Sequence, residues 1–483
     1  MITMADRLFQ LFDIKSRWVS EGEKRLNASS YFYGSINAKI LLTKLIEKGI
    51  SLDNLGKFSN NIFVGARSKR LFTTKKEGVP YLMPIDLFMF NLKPRKWVRR
   101  ETEDLENWWV SRYTILISQS GTPGRTLITN KLFEDKVVSP NVIRYFPDEE
   151  GNEKIGYIYA YLSSWIGQAF LIKDQYGSTV KHIEPHHVAN ILVPRIPELE
   201  EEINQKILEA HRLREEAQEL LLKAEEMLHS ELGLPEICED DIEYLGGEEG
   251  RIVKSFEIKA SELNLRLDAS YHLPIIRQIE QHLVEINMDV QLLGNKISSI
   301  FIPPRFKRPY VKKYDEGVRY IRPSDLPLIK YFESRYLART FKNCDLYRLR
   351  EGEILVVTDG TIGWASIVTP LIAGWYGSNN FARIVPTEDL DRGYLLAYLL
   401  SPYGQYQLKS EIFGGVIDHL TADHISQIKI PIPSEQIQRK IGNFVFEAYD
   451  KRDKANQIED EAIKLLERRL TEIAERENII KEI

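Results

Sequence analysis

Apolar residues recur at helical spacing over two long stretches, 197–232 and 434–473. In the first, Ile203, Ala210, Ala217 and Ala224 form one heptad column, with Leu213, Leu220 and Met227 in the neighbouring column. In the second, Ile441, Ala448, Ala455 and Ala462 repeat the small-residue column, beside Phe444, Ile458 and Leu465. Sustained heptads of this kind predict coiled-coil helices. Matching alanine columns predict that the two pack closely against each other, the alternative being pairing with a second chain. Elsewhere the pattern changes to short β-rich runs such as YTILIS, EILVV and SIVTP, bounded by Gly, Pro and Asp. An apolar run over IGYIYAYLSSWIGQAFL, and its counterpart GYLLAYLLSPYGQYQL, reads as helix. Thr421 and Asp423, with Glu184 earlier in the chain, read as caps of a short helix.

These elements occur twice. RLNASSYF at Arg25 returns as RLDASYHL at Arg266, and SKRLFT at Ser68 as FKRPYV at Phe306. EGVPYLMPIDL at Glu77 returns as EGVRYIRPSDL at Glu316, and ILISQSGTPG at Ile115 as ILVVTDGTIG at Ile354. HIEPHHVANILVP at His182 returns as HLTADHISQIKIP at His419. Ordered matches with small drifts in offset mark a duplicated unit of about 240 residues. The expected architecture is α+β: two pseudo-symmetric mixed α/β modules joined by two long helices that pair as an antiparallel coiled coil. The predicted boundaries are an N-terminal segment 1–30, a first module 31–196, a helix 197–235, a linker and repeat start 236–270, a second module 271–433 and a distal helix 434–483.

Composition narrows the class. The 483 residues are 43% hydrophobic and 28% charged, which is ordinary globular usage, and two cysteines, Cys238 and Cys344, cannot build a disulfide framework. No run approaches the ~18–20 apolar residues that span a bilayer. The opening segment has no uninterrupted apolar core of signal-peptide type, so a cytoplasmic protein is expected. The net charge of −5 conceals a segregated distribution. Val64–Arg100 holds ten basic residues against two acidic ones, and Arg305–Arg350 thirteen against five, a net +8 each. Pro197–Gly250 carries eighteen acidic residues against four basic ones.

The chemistry of an enzyme is hard to find. No Asn-Pro-Pro-aromatic loop and no G-x-x-x-x-G-K-[ST] cradle occur, which argues against an amino-methyltransferase and a nucleotide-driven motor. Asp13-Ile14-Lys15 and Glu257-Ile258-Lys259 lack the further carboxylates of a nuclease site and read as surface charge. The pairs His182/His187 and His419/His424 share one spacing, but no cysteine accompanies them, so capping or packing is preferred over a metal. The loops Gly121–Gly124 and Gly360–Gly363 read first as hairpin turns and secondly as anion nests, with Arg125 beside the first able to meet a phosphate. The basic segments are interleaved with aromatics, among them Phe72, Tyr81, Trp97, Phe306, Tyr310 and Tyr320. Equal net charge at equivalent positions of both repeats points to a DNA-facing role. The pool of DNA contacts is Arg67, Lys69, Arg70, Lys75, Lys93, Arg95, Lys96 and Arg125 in the first half, and Arg305, Lys307, Arg308, Lys312, Lys313, Arg319 and Arg322 in the second.

These residues resemble the specificity subunit of type I restriction-modification systems. The resemblance rests on RLNASSY and RLDASYH, the G-T-x-G loop after an apolar strand, the Tyr-Leu-x-Ser-x-x-Gly-Gln helix, the IKIPIP run and the closing coiled coil. The second half fits more closely, whereas the first has SQSGTPGRT and lacks the pair Gly414-Gly415. The resemblance implies a non-catalytic subunit with two target recognition domains, each reading one half of a split asymmetric double-stranded DNA target. It implies that the helices set the spacer and dock two methyltransferase subunits, that S-adenosylmethionine is bound by those partners and not by this chain, and that restriction/translocase subunits join the assembly. Two other readings are a coiled-coil scaffold with non-specific DNA affinity and a nuclease with a degenerate acidic site.

Overall fold

The computed structural model describes residues 33–120, 122–173, 182–237, 255–263, 266–312, 316–332, 334–414 and 418–475. They fall into two compact units: 1–69, 102–209 and 458–483 form one, 70–101 and 210–457 the other. No helix among the described residues is long and apolar enough to cross a membrane.

In the first unit four antiparallel strands lie in the order Ser59–Val64, Val142–Pro147, Ile115–Ser118, Thr126–Ile128. All four residues of Ile115–Ser118 are buried, as a continuous apolar run in a covered strand requires. The core continues through the helices Tyr33–Glu47 and Ile155–Ser163 to Leu199, Ile203 and Ile207 of the first long helix and Ala462, Leu466 and Leu470 of the second. The second unit repeats the sheet strand for strand: Ile297–Phe301, Phe381–Pro386, Ile354–Val357, Ala365–Ile367. It also holds a mixed sheet of Tyr310–Val311, Tyr336–Ala338, Gly317–Ile321 and Tyr376–Gly377, the last pair parallel, and the equivalent first-repeat strands Phe72–Thr73, Lys96–Val98 and Val79–Leu82, paired in the same order.

The Tyr-Leu-x-Ser-x-x-Gly-Gln motif is a structural device present in both units. Ser164 and Ser401 cap the second of two consecutive helices, accepting from Gly167 N and Gly404 N. A Cβ at Gly167 would lie 2.1 Å from Tyr161 O, and one at Gly404 2.3 Å from Tyr398 O, so only glycine permits the junction. Gln168 Nε2 donates to Gly124 O (2.9 Å) and Gln405 Nε2 to Gly363 O (2.7 Å), fastening each helix to the hairpin loop that follows the central strand. Gly124 and Gly363 both have φ of +90°, and their N–H groups close the turns onto Ser118 O and Val357 O. The hairpin reading of these loops therefore holds.

The long helices run Pro197–Leu232 and Glu435–Glu475, 36 and 41 residues, or about 54 and 62 Å. Their pairing is antiparallel: in the second unit Arg214 meets Asn456, Glu216 meets Lys451 and Glu231 meets Lys440. The small-residue columns Ile203, Ala210, Ala217, Ala224 and Ile441, Ala448, Ala455, Ala462 are all buried. One detail differs from the heptad reading. On the second helix the companion column is Val445, Arg452, Glu459 and Leu466, whereas Phe444, Ile458 and Leu465 are only partly buried. Two charged members hide this column from a search for apolar spacing.

The compact units also depart from the halves of the repeat. Residues 70–101 sit in the second unit because Phe88–Phe90 pairs with Pro327–Ile329: Phe90 N donates to Pro327 O (2.8 Å) and Ile329 N to Phe88 O (2.9 Å). Each bond is the image of the other under a shift of 239 residues, as is the pair Met89–Leu328. Gln218 reaches Phe90 O and Asn456 reaches Ile329 O in the same symmetric manner. The duplicated sequence thus folds about a local two-fold inside the second unit.

Candidate nucleic-acid interface

The fifteen basic candidates divide by what their side chains touch. Arg67, Lys69, Arg70, Lys75, Lys96, Arg305, Lys307 and Lys312 are exposed. Lys96 stands 4.8 Å over the ring of Phe72, and Lys75 lies 3.5 Å from Glu236. Arg125 is half-buried beside the first hairpin loop. Lys313 lies outside the described residues, as do Gly121, Tyr176–Ser178, Gly415, Cys238, the Asp13–Lys15 stretch and the opening motif at Arg25.

Five candidates are engaged within the fold. Arg95 Nε donates to Asp86 Oδ1 (2.9 Å), and Arg322 grips Asp325 at 2.9 and 2.6 Å. Asp86 and Asp325 are equivalent buried carboxylates that also accept from the equivalent amides Met83 N and Arg322 N, both at 2.9 Å. The two repeats thus neutralise the same buried charge with guanidiniums from different positions. Arg308 donates to Tyr320 Oη (2.7 Å) and Asn379 Oδ1 (3.1 Å), Arg319 donates to Tyr331 O (2.9 Å) over the Trp375 ring, and Lys93 pairs with Glu225. Arg67 and Lys69 belong to the first unit while Arg70–Lys96 belong to the second, so the first basic segment is not one surface of one unit.

Sequence reasoning passed over two further features. Arg144 and Arg383, equivalent and buried, tie down backbone carbonyls: Arg144 to Val138 O (2.7 Å) and Val142 O (2.9 Å), Arg383 to Leu346 O and Arg348 O (both 2.8 Å) and to Glu353. Their embedding in apolar strand runs is the only signal the sequence carries. The second feature is a groove of about 420 Å³ at the end of the first unit's sheet, lined by Val64, Gly65, Arg67, Gln119, His182 and Glu184. At the corresponding end of the second unit's sheet, His419 Nδ1 pairs with Asp359 Oδ1, and Phe413 stands against His419 and His424.

The histidine pairs differ in role: the His187 imidazole takes part in a cap, His424 lends only its backbone N–H, and His419 pairs with Asp359. His187 Nδ1 accepts from Glu184 N (3.2 Å), and His424 N donates to Thr421 Oγ1 (3.2 Å). Glu184 and Thr421 are the caps; Asp423 lies inside the short helix it was expected to cap. Among the described residues no group of three or more His, Cys, Asp or Glu is placed to hold a metal ion.

Comparison with known proteins adds the following. Residues 303–465 match the model of the type I restriction modification DNA specificity domain. The type I restriction enzyme MjaIX specificity subunit of Methanocaldococcus jannaschii is 26% identical over 159 residues, 31% of this chain and 36% of that protein. The match thus spans about a third of the length of that relative. Among solved structures, the type I restriction-modification S subunit from M. genitalium aligns over 89% of this chain and 96% of its own, with 12% identity and a TM-score of 0.32. The HsdS subunit from Thermoanaerobacter tengcongensis aligns over 88% and 96%, with 13% identity and a TM-score of 0.28.

Proposed function

We propose that the chain is a type I specificity subunit that reads a split DNA target, one half-site per sheet module; the match of residues 303–465 to the type I restriction modification DNA specificity domain supports this reading. The observation that carries this is the duplication: one chain holds the same four-strand sheet twice, and in the sequence each copy's strands are interleaved with an equivalent segment rich in exposed Arg and Lys. A single chain with two non-identical readers suits an asymmetric two-part sequence. Phosphate contacts from Lys69, Arg70, Arg305, Lys307 and Lys312 supply affinity and register, and base contacts supply specificity.

In this reading the paired long helices fix how many unread base pairs separate the half-sites. They also dock two methyltransferase subunits, which bind S-adenosylmethionine, and the assembly recruits restriction/translocase subunits. This chain performs no chemistry itself; it selects where its partners act, in the cytoplasm. The test is long-read mapping of modified adenines in a methylation-free bacterial host that expresses this chain with its genomically neighbouring methyltransferase, against the methyltransferase alone. A split motif that appears only with both is the expected result. An intact, active complex that produces no motif moves the chain to the scaffold reading.

A further inference from the structure

We propose that Arg67 reads a guanine in the half-site bound by the first module, and that Gln119 is its positioning residue; this assignment rests on the DNA-specificity reading above. Arg67 is exposed, yet one of its Nη atoms donates to Gln119 Oε1 at 3.1 Å, and Gln119 is only 2% exposed. A flexible guanidinium on a buried amide is ordered before any ligand arrives, which lowers the entropy lost on binding.

The backbone that carries it is held on both sides. Trp108 Nε1 donates to Ala66 O (3.0 Å), and Ser68 Oγ donates to the Asp104 carboxylate. A Cβ at Gly65 would lie 3.2–3.3 Å from Arg144, Pro140 and Trp108, so glycine lets the strand end settle against them. Gln119 is fixed in turn, because its backbone oxygen accepts from Ile183 N (3.3 Å), which brings His182 and Glu184 to the groove.

The charge pattern distinguishes base edge from phosphate. A groove that presents Glu184 beside Arg67 repels a phosphate, whereas Lys69 and Arg70, next along the chain and exposed, suit one. A G·C pair offers both complements in the major groove: guanine O6 and N7 accept from a guanidinium, and cytosine N4 donates to a carboxylate. At the equivalent positions of the second module the chain has Thr358 and Asp359 in place of Gln119 and Ser120, with Asp359 paired to His419. Divergence of these side chains on a retained backbone is what two readers of different half-sites require.

The experiment is methylome mapping of Arg67→Gln, Arg67→Lys, Gln119→Ala and Lys69→Ala, each co-expressed with the methyltransferase and compared with the unaltered chain. Both Arg67 variants are expected to relax one G·C position of one half-site, with discrimination there falling about 5- to 150-fold, while the other half-site stays strict. Gln119→Ala relaxes the same position to a smaller degree. Lys69→Ala lowers methylation at all sites without changing the motif. Arg67→Lys keeps the charge, so a purely electrostatic role leaves its motif strict. A motif unchanged in both Arg67 variants, or relaxed at a position other than G·C, overturns the assignment alone. No motif from the unaltered chain overturns the specificity reading and the assignment with it.

Discussion

Arg452 is fully buried in the second unit between the rings of Phe90, Tyr331 and Tyr449, with Nε and Nη2 on Asp453 at 2.9 and 2.7 Å. Burial works against its charge, but Tyr331, Asp453 and Tyr449 more than offset this and hold its pKa above the ordinary value. Removing the guanidinium leaves Asp453 buried and uncompensated, so Arg452→Ala is expected to cost about 3–5 kcal/mol in urea unfolding. Arg452→Met with Asp453→Asn should recover part of that loss. Glu467 shows the opposite kind of perturbation. Burial raises its pKa, against the bond it accepts from Trp165 N (2.8 Å) and the Lys464 charge. A folded pKa above the unfolded one means that protonation favours folding, and this contribution is lost as pH rises through the folded value. Glu467→Gln keeps an acceptor for Trp165 and removes the ionisation, so its melting temperature relative to the unaltered protein should rise between pH 4 and pH 7.

At the scale of elements, the two long helices carry alanine at facing positions, which lets their backbones approach closely and makes the pairing sensitive to register. The polar contacts Arg214–Asn456 and Gln218–Phe90 O punish slippage, since a shifted helix buries them without partners. Insertion of one heptad into each helix keeps every facing pair in phase and lengthens the rod by about 10 Å. If the helices measure the spacer, the methylated motif should gain about three unread base pairs. An unchanged spacer in methylome mapping would remove the ruler function. A heptad in one helix only should abolish folding of the pair, visible as loss of the cooperative melt.

For the whole molecule, affinity for DNA should come from phosphate contacts even though the net charge is −5. Five of the fifteen basic candidates are committed to internal carboxylates, carbonyls or hydroxyls, so the exposed subset carries the salt dependence. Replacing Arg305, Lys307 and Lys312 together by Ala should flatten the slope of log K against log salt by about 0.9 for each phosphate that is no longer neutralised. Replacing Arg95 or Arg322 instead should lower the melting temperature, because Asp86 or Asp325 loses its guanidinium. Fluorescence anisotropy across a salt series, paired with melting curves, separates the two groups.

Much of this was legible along the chain. The duplication, the hairpin loops and the buried alanine columns follow from local pattern, because period, turn chemistry and repeat spacing are properties of neighbours in sequence. Three things were not. The sequence shows Arg95 and Arg322 as positive charges like any others, and only the fold brings each to a buried aspartate. Arg452 and Glu459 break an apolar column on paper, yet occupy it once the rings of Phe90 and Tyr331, and for Glu459 the hydroxyl of Tyr159, are brought alongside. And residues 70–101 leave their own half because Phe88–Phe90 finds its symmetric copy some 239 residues away. The sequence by itself determined the two long helices, the apolar strand runs with their hairpin turns and the helix over the Tyr-Leu-x-Ser-x-x-Gly-Gln motif, and that these come in duplicate. Only the tertiary structure decided which charges face solvent, because the desolvation of a charge is settled by what packs around it, even where its ionic partner is as near in the chain as Asp325 is to Arg322.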